Sequence, residues 1–118
     1  MLSNLGAQRH LFHIRDNIIL ARDFIQSLTY EAFRGDVLVF YAVTRCLEII
    51  SEASRRIPVE MKARHPEIPW ADIADAGNVY RHNYEDVQHR LVWGVVNNRF
   101  PALQAFVEAE LLRIEGDQ

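Results

Sequence analysis

The stretch DVLVFYAVTRCLEIISEA, residues 36–53, decides the fold class. Asp36 is a good N-cap residue, and the apolar side chains that follow it recur around most of the circumference of a helix. A helix that is apolar on so many sides needs neighbours on several of them, which predicts a helical bundle. The same excess of apolar residues predicts self-association, because such a helix is unusual on the surface of a small monomer.

Amphipathic segments on both sides of this stretch extend the prediction to an all-α fold. The first is a helix over 9–28, whose apolar stripe consists of Leu11, Ile14, Ile18, Ala21, Ile25 and Leu28. Further helices are predicted from Pro58 to about His65, over 70–82, after a cap at Asp86, and from Pro101 onward. No segment shows the alternation of a strand. We therefore expect one domain, residues 1–118, built from four or five main helices.

Composition excludes several classes of protein. The longest apolar stretch, Val37–Val43, is far shorter than the ~18 residues of a membrane-spanning helix, and residues 1–6 lack the pattern of a signal peptide. Cys46 is the only cysteine, so no intrachain disulfide can form. We expect a cytoplasmic protein. The net charge of −3 argues against a non-specific coat on nucleic acid but leaves room for a local basic cleft.

Two polar patterns on the first helices have alternative interpretations. Arg45, Glu48, Glu52 and Arg55 recur three or four residues apart, which is typical of a solvated ladder of ion pairs or of a charged wall beside a site. His10 and His13 lie three residues apart and could share a metal ion. Nothing near them in sequence completes a ligand set, so we interpret them as surface histidines and expect no metal site.

The segment GNVYRHNY, residues 77–84, concentrates groups that can act on phosphates and protons. On chemistry alone it is either a polar helix end or a site. Four patches of the chain, however, resemble the HepT-like toxins of the HEPN superfamily: RCLEIISEA (45–53), PEIPW (66–70), the segment 77–84, and VW (92–93) with FPAL (100–103). The resemblance implies a HEPN-type bundle that forms a homodimer, and a metal-independent ribonuclease that cleaves tRNA or mRNA in a cleft between the subunits.

The family signature is an Arg, then Asn, a His four residues after that Asn, any residue, and Tyr. Asn78, His82 and Tyr84 occupy the last three positions, whereas Gly77 stands where the family has Arg. Two interpretations remain open. Arg81 shares a helix face with position 77 and fills the space that Gly77 leaves. Alternatively, Gly77 permits close packing of helices and Arg81 is an exposed charge.

If the chain cleaves RNA, the roles of these residues follow from the residue types. His82 is the acid or base, because imidazole exchanges protons near neutral pH, and Arg81 or Arg45 holds the phosphate. Asn78 orients the phosphate or the imidazole, and Glu48 joins Arg45 in binding substrate. RNA supplies its own nucleophile, the 2′-hydroxyl, so no cofactor is expected.

Tyr84 is, by the same resemblance, the acceptor of AMP from an MntA-like nucleotidyltransferase antitoxin. The added phosphate would repel RNA from the site. A second interpretation is a catalytically weakened helical module that binds a nucleotidyltransferase partner without cleaving RNA, since the family Arg is replaced by Gly77. A helical bundle that holds a small ligand is a third, which rests on composition alone.

Overall fold

The fold is known from a computed structural model, which describes residues 2 to 117 and the side chains from residue 6 onward. Met1 and Gln118, which the single-domain prediction includes, lie outside these residues. The helices are α1 (Leu2–Ile25), α2 (Tyr30–Arg34), α3 (Val37–Arg55), α4 (Val59–Ala63), α5 (Trp70–Asp75), α6 (Glu85–Gly94) and α7 (Phe100–Gly116). A 3₁₀ turn covers Val79–Arg81, and a π-helical segment covers Val95–Arg99. Residues 2–117 contain no strand, which confirms the all-α class.

The core lies between α1, α3 and α7, and α5 and α6 pack against α3. The predicted stripe of α1 is buried from Leu11 to Ile25, and Leu28 packs against its edge. Helix α3 begins as predicted, because the carboxylate of Asp36 accepts a hydrogen bond of 3.1 Å from the backbone N–H of Val39. Its inward positions include Phe40, Val43, Leu47 and Ile50.

The helix predicted over 70–82 is wrong beyond its first half. Helix α5 ends at Asp75, and residues 76–84 form a turn, the 3₁₀ segment and an extended stretch. Gly77 is a poor helix former, and Asn78 bonds back to Asp75 through both its backbone N–H (3.0 Å) and its side chain (3.2 Å). These local bonds compete with continuation of the helix.

The cap predicted at Asp86 is also displaced. Helix α6 begins at Glu85, with Tyr84 at the N-cap position, and Asp86 lies inside the first turn. The Asp86 carboxylate instead accepts hydrogen bonds from Arg90 at 3.0 Å and from the Tyr30 hydroxyl at 3.3 Å. A carboxylate in the first turn still interacts favourably with the helix dipole.

Helices α6 and α7 are joined without a loop, because the interruption predicted at Phe100 and Pro101 is a π-helical turn that precedes Phe100. Proline has no N–H and its ring crowds the carbonyl four residues before it, so a regular α-helical bond cannot form there. The N–H of Phe100 bonds to the carbonyl of Val95, five residues earlier, and α7 continues with Pro101 in its first turn, as predicted. Among the described helices, none combines the length and the apolar character needed to cross a bilayer.

Candidate functional site

The backbone of Gly77 packs closely against α3. A Cβ atom at this position would lie 2.9 Å from Oγ and 3.0 Å from Cβ of Ser51, and 3.2 Å from the Cα of Glu48. The Ser51 hydroxyl is itself buried and donates a hydrogen bond of 2.9 Å to the carbonyl of Ile73 in α5. Position 77 therefore has no room for a side chain that points toward α3.

This close approach decides between the two interpretations of Gly77. The structure contradicts the view that Gly77 leaves an open space for Arg81, because the backbone and Ser51 of α3 occupy that space. The two residues also do not share a helix face, since a turn separates α5 from the 3₁₀ segment. Close packing is the reason for the glycine, although the segment that packs against α3 is a turn and not a helix.

An acidic residue at the end of α5 holds the side chain of Arg81, the residue that precedes His82. Its Nη1 pairs with Oδ2 of Asp75 at 2.6 Å, and its Nε points at Nε2 of His82 from 3.5 Å. Asn78 donates from its side chain to the other oxygen of the same carboxylate at 3.2 Å. These two hydrogen bonds, Asn78 first, lower the pKa of Asp75 below its usual range. Two of the three predicted catalytic residues, Asn78 and Arg81, thus converge on one carboxylate, and the third, His82, adjoins Arg81.

Two other predicted residues, Arg45 and Glu48, lie on the neighbouring face of α3. They pair with each other at 3.5 Å, and no ion pair within residues 6–117 joins either of them to the cluster of Asn78, Arg81 and His82. Glu48 nevertheless adjoins this cluster, because its Cα packs against Gly77. The charged stripe of α3 forms a ladder of ion pairs, and its role as a wall beside a site stays a prediction.

Tyr84 stands at the entrance to α6 with three quarters of its surface exposed. Within residues 6–117 its hydroxyl makes no side-chain hydrogen bond, whereas the Tyr30 hydroxyl bonds to Asp86. Gln88 donates to the backbone carbonyl of His82 at 2.5 Å and so holds the start of α6 to the residue that carries the imidazole. An exposed phenol is thus fixed two residues from His82.

Sequence reasoning missed two residues near Arg81 and His82. Asp75 holds both Arg81 and Asn78, and its spacing of three residues from Asn78 was the available signal. Tyr80 lies across Phe40 with ring centroids 6.5 Å apart. Burial, followed by the nearby acidic groups of Tyr41 and Glu48, raises the pKa of the Tyr80 phenol, which places this side chain beside α3.

The remaining histidines have separate environments. His89 is buried, stacks on Phe40 with centroids 4.1 Å apart, and donates from Nδ1 to the carbonyl of Glu85 at 2.6 Å. His10 and His13 face each other with centroids 6.3 Å apart and line a groove between α1 and α3. Among the side chains of residues 6–117, no group of three or more His, Cys, Asp or Glu is arranged to hold a metal ion.

Comparison with known proteins gives these features a context. The family model described as "Ribonuclease HepT-like" matches residues 14–110, which include every predicted site residue. The chain belongs to the HepT-like ribonuclease family. The family membership predicted from the sequence patches is therefore confirmed.

Relatives in the family cover most of the chain. A Thermococcus cleftensis protein named "Probable ribonuclease HepT" is 37% identical over 99 residues, covering 84% of this chain and 90% of the relative. A Methanocaldococcus jannaschii protein named "Putative RNase MJ1216" is 33% identical over 101 residues, covering 86% of this chain and 81% of the relative. No solved structure matches the chain at a comparable level.

Proposed function

We propose that this HepT-like chain is a metal-independent RNA endonuclease whose reaction centre is the corner formed by Arg81 and His82. The observation that carries the proposal is the placement of a guanidinium Nε 3.5 Å from an imidazole Nε2, with Asp75 fixing the guanidinium from the other end. Arginine offers its planar edge to two oxygens of a phosphate. Asp75 meets the guanidinium at Nη1, so the edge that carries Nε faces His82.

The chemistry needs only proton transfer and charge stabilisation. A base removes the proton of the ribose 2′-hydroxyl, whose oxygen forms a new bond to the phosphorus while the bond from phosphorus to the 5′-oxygen breaks. An acid returns a proton to that leaving oxygen, which yields a 2′,3′-cyclic phosphate and a free 5′-hydroxyl. His82 supplies one of these proton transfers, and the Arg81 guanidinium stabilises the negative charge that develops on the phosphoryl oxygens.

Cleavage of mixed cellular RNA, in the presence of a chelator, tests this assignment. We expect cleavage by the native chain and a loss of at least about 100-fold in His82→Ala, the usual contribution of a general acid or base. Arg81→Lys keeps the charge but loses the planar edge, and should lower kcat as Arg81→Ala does. Cleavage that survives in His82→Ala, with an unchanged circular dichroism spectrum, would refute the assignment.

We also propose that the active form is a homodimer whose interface contains the start of α3. Val37, Leu38 and Tyr41 are 66%, 80% and 59% exposed, a cluster of large apolar groups that costs free energy in water. Tyr41 and Tyr80 line one pocket with Asn83, the neighbour of His82. A two-fold axis through this surface would bring two His82 imidazoles toward one cleft, where one acts as acid and the other as base.

The interface is tested by light scattering of charged variants. Leu38→Asp places a charge in the cluster, and we expect it to be a monomer that cleaves RNA at least about 100-fold more slowly. Leu112→Asp is the matched control, because Leu112 is 69% exposed on α7, outside the α3 cluster. A native chain that is monomeric at micromolar concentration, or a dimeric Leu38→Asp variant, would exclude this interface.

Tyr84 is proposed as the acceptor of an adenylyl group from a nucleotidyltransferase antitoxin. Its exposed phenolic oxygen would attack the α-phosphorus of ATP, the bond to pyrophosphate would break, and the phenolic proton would pass to a base of the transferase. The new phosphodiester then places a negative charge two residues from His82, beside the guanidinium that binds RNA, and competes for it.

Mass spectrometry after incubation with ATP and an MntA-like transferase tests this modification. Tyr84→Phe should remain an active ribonuclease and gain no adenylyl group, whereas Tyr41→Phe, which removes another exposed phenol, should be modified and silenced. Modification of Tyr84→Phe to the native extent would show that another residue is the acceptor.

The second candidate function, a module that binds a nucleotidyltransferase without cleaving RNA, is favoured by one observation. Asp75 already neutralises Arg81 at 2.6 Å, and the family Arg is absent at Gly77. Adding an Arg at position 77 does not separate the two functions, because α3 leaves no space for its side chain. Absence of cleavage by an unmodified, dimeric native chain would establish the binding module.

A further inference from the structure

A groove of about 420 Å³ lies between α1 and α3. Helix α1 contributes Arg9, His10 and His13 to it, α3 contributes Arg45, Ile49, Glu52 and Ala53, and Arg56 follows at the C-terminal end of α3. Three guanidinium groups thus face a single carboxylate, which leaves two positive charges, before any charge on the imidazoles. The whole chain carries a net charge of −3, so positive charge is concentrated in this groove.

The ion pairs inside the groove leave part of this charge available. Arg56 donates to one oxygen of Glu52 at 2.9 and 3.2 Å, and this hydrogen bond lowers the pKa of the Glu52 carboxyl. Arg45 is only loosely paired with Glu48 at 3.5 Å, and its side chain is 70% exposed. Arg9 has no ion-pair partner within residues 6–117. An anion entering the groove would therefore meet Arg9, the loosely paired Arg45 and the Nη1 group of Arg56, because Arg56 reaches Glu52 through Nε and Nη2.

The environment of His10 is consistent with a positive potential in the groove. Burial lowers the pKa of this imidazole, and the positive charges of Arg56, His13 and Arg9 lower it further, against the opposing effect of Glu52. Like charges crowded into one concave surface disfavour each other, and a bound polyanion relieves that repulsion.

We infer that this groove binds the phosphates of single-stranded RNA that extend away from the bond cleaved at His82. The inference rests on the proposed nuclease function. Arg45 provides the continuity, since it lines the groove and pairs with Glu48, whose Cα packs against Gly77 of the catalytic corner. A chain of regularly spaced phosphates suits three planar guanidinium groups that line one groove.

Binding of a fluorescent single-stranded oligonucleotide of about ten nucleotides tests the groove. The measurement uses His82→Ala as the background, so that cleavage does not interfere. Each of Arg9→Gln and Arg56→Gln should reduce the slope of log K against log salt concentration by about 0.7, and both together by about 1.4. Arg15→Gln is the matched control on α1, because Arg15 pairs with Asp16 and lies outside the groove.

Cleavage of two substrates separates this inference from the proposed function. With intact His82, the double variant should cleave a dinucleoside phosphate at the native rate, because this substrate is too short to reach the groove, and should show a raised KM for long RNA. A native chain that binds the oligonucleotide through Arg9 and Arg56 but cleaves nothing would remove the nuclease proposal and keep the groove. If the double variant keeps the native slope of log K against log salt concentration, the inference that the groove binds RNA is overturned. This holds even if the double variant no longer binds a nucleotidyltransferase.

Discussion

A substitution at Gly77 tests how closely the segment that carries His82 packs against α3. At a position with ordinary backbone angles, Gly→Ala stabilises a protein by about 0.4–1 kcal/mol, because the unfolded chain loses entropy. Here the added methyl group would lie 2.9 Å from Oγ and 3.0 Å from Cβ of Ser51. The hydroxyl could rotate away, but Cβ of Ser51 and the Cα of Glu48, 3.2 Å away, belong to a packed helix and cannot. Forcing atoms into a packed core costs about 1–3 kcal/mol, so we expect Gly77→Ala to destabilise the fold by about 1–2 kcal/mol.

Urea unfolding at neutral pH measures this effect. With a slope of about 1.5 kcal/mol/M, the midpoint of Gly77→Ala should fall by about 1 M. Gly94→Ala is the matched control, because a Cβ at Gly94 meets only the side chain of Asn98 at 3.9 Å, and should raise the midpoint. In a double-mutant cycle, Ser51→Gly should recover part of the loss. A stabilised Gly77→Ala variant would refute the steric argument and reopen position 77 to a side chain.

Further predictions concern the buried carboxylate of α7 and the cap of α3. Glu110 is 1% exposed and pairs with Arg64 at 2.6 Å. Glu110→Gln breaks this ion pair and should lower the free energy of unfolding in urea by about 2–3 kcal/mol. This is at the low end for buried pairs, because Arg64 reaches water. The exposed Glu108→Gln should stay within about 0.5 kcal/mol of the native chain. Burial is the largest effect and raises the pKa of Glu110, but the hydrogen bonds from Arg64 and His65, together with the charges of Arg64 and Arg113, outweigh it, and the net pKa is lowered. Its contribution is therefore complete above the unfolded pKa of about 4.3 and is lost as pH falls through the lower folded value, so an acid titration of stability should show a smaller loss in Glu110→Gln. Asp36→Ala removes the bond to the start of α3 and should cost about 1 kcal/mol, unlike the surface Asp16→Ala; equal effects would contradict the capping role.

The periodic parts of the chain were predictable from the sequence. The stripe from Leu11 to Ile25 and the cap at Asp36 needed only helical spacing and the chemistry of a first turn, and both are found in the fold. Pro101 predicted an interruption between α6 and α7. It did not predict that the interruption is a wide helical turn without a loop, because that geometry depends on how the backbone relaxes around a missing N–H.

The sequence motif named candidate site residues, whose catalytic roles stay a prediction, and it did not predict their geometry. The motif at Asn78, His82 and Tyr84 identified the family, but the end of α5 at Asp75 depends on local hydrogen bonds that helical periodicity does not report. The tight fit of Gly77 was beyond sequence reasoning, because it depends on which residues of α3 lie opposite after folding. Family resemblance places residues in order along the chain, and only tertiary packing shows whether a missing side chain leaves a vacancy.

The π-helical turn at Val95–Arg99 also affects how the protein meets proteases. An ordinary bend between α6 and α7 would be a loop, and exposed loop tips are where proteolytic nicking concentrates. Here the chain passes from α6, which packs against α3, to α7, which packs against α1, without leaving helical conformation. From Glu85 to Gly116 a protease therefore finds no extended segment of backbone to bind, and we expect limited digestion within residues 2–116 to concentrate in the segments before α6.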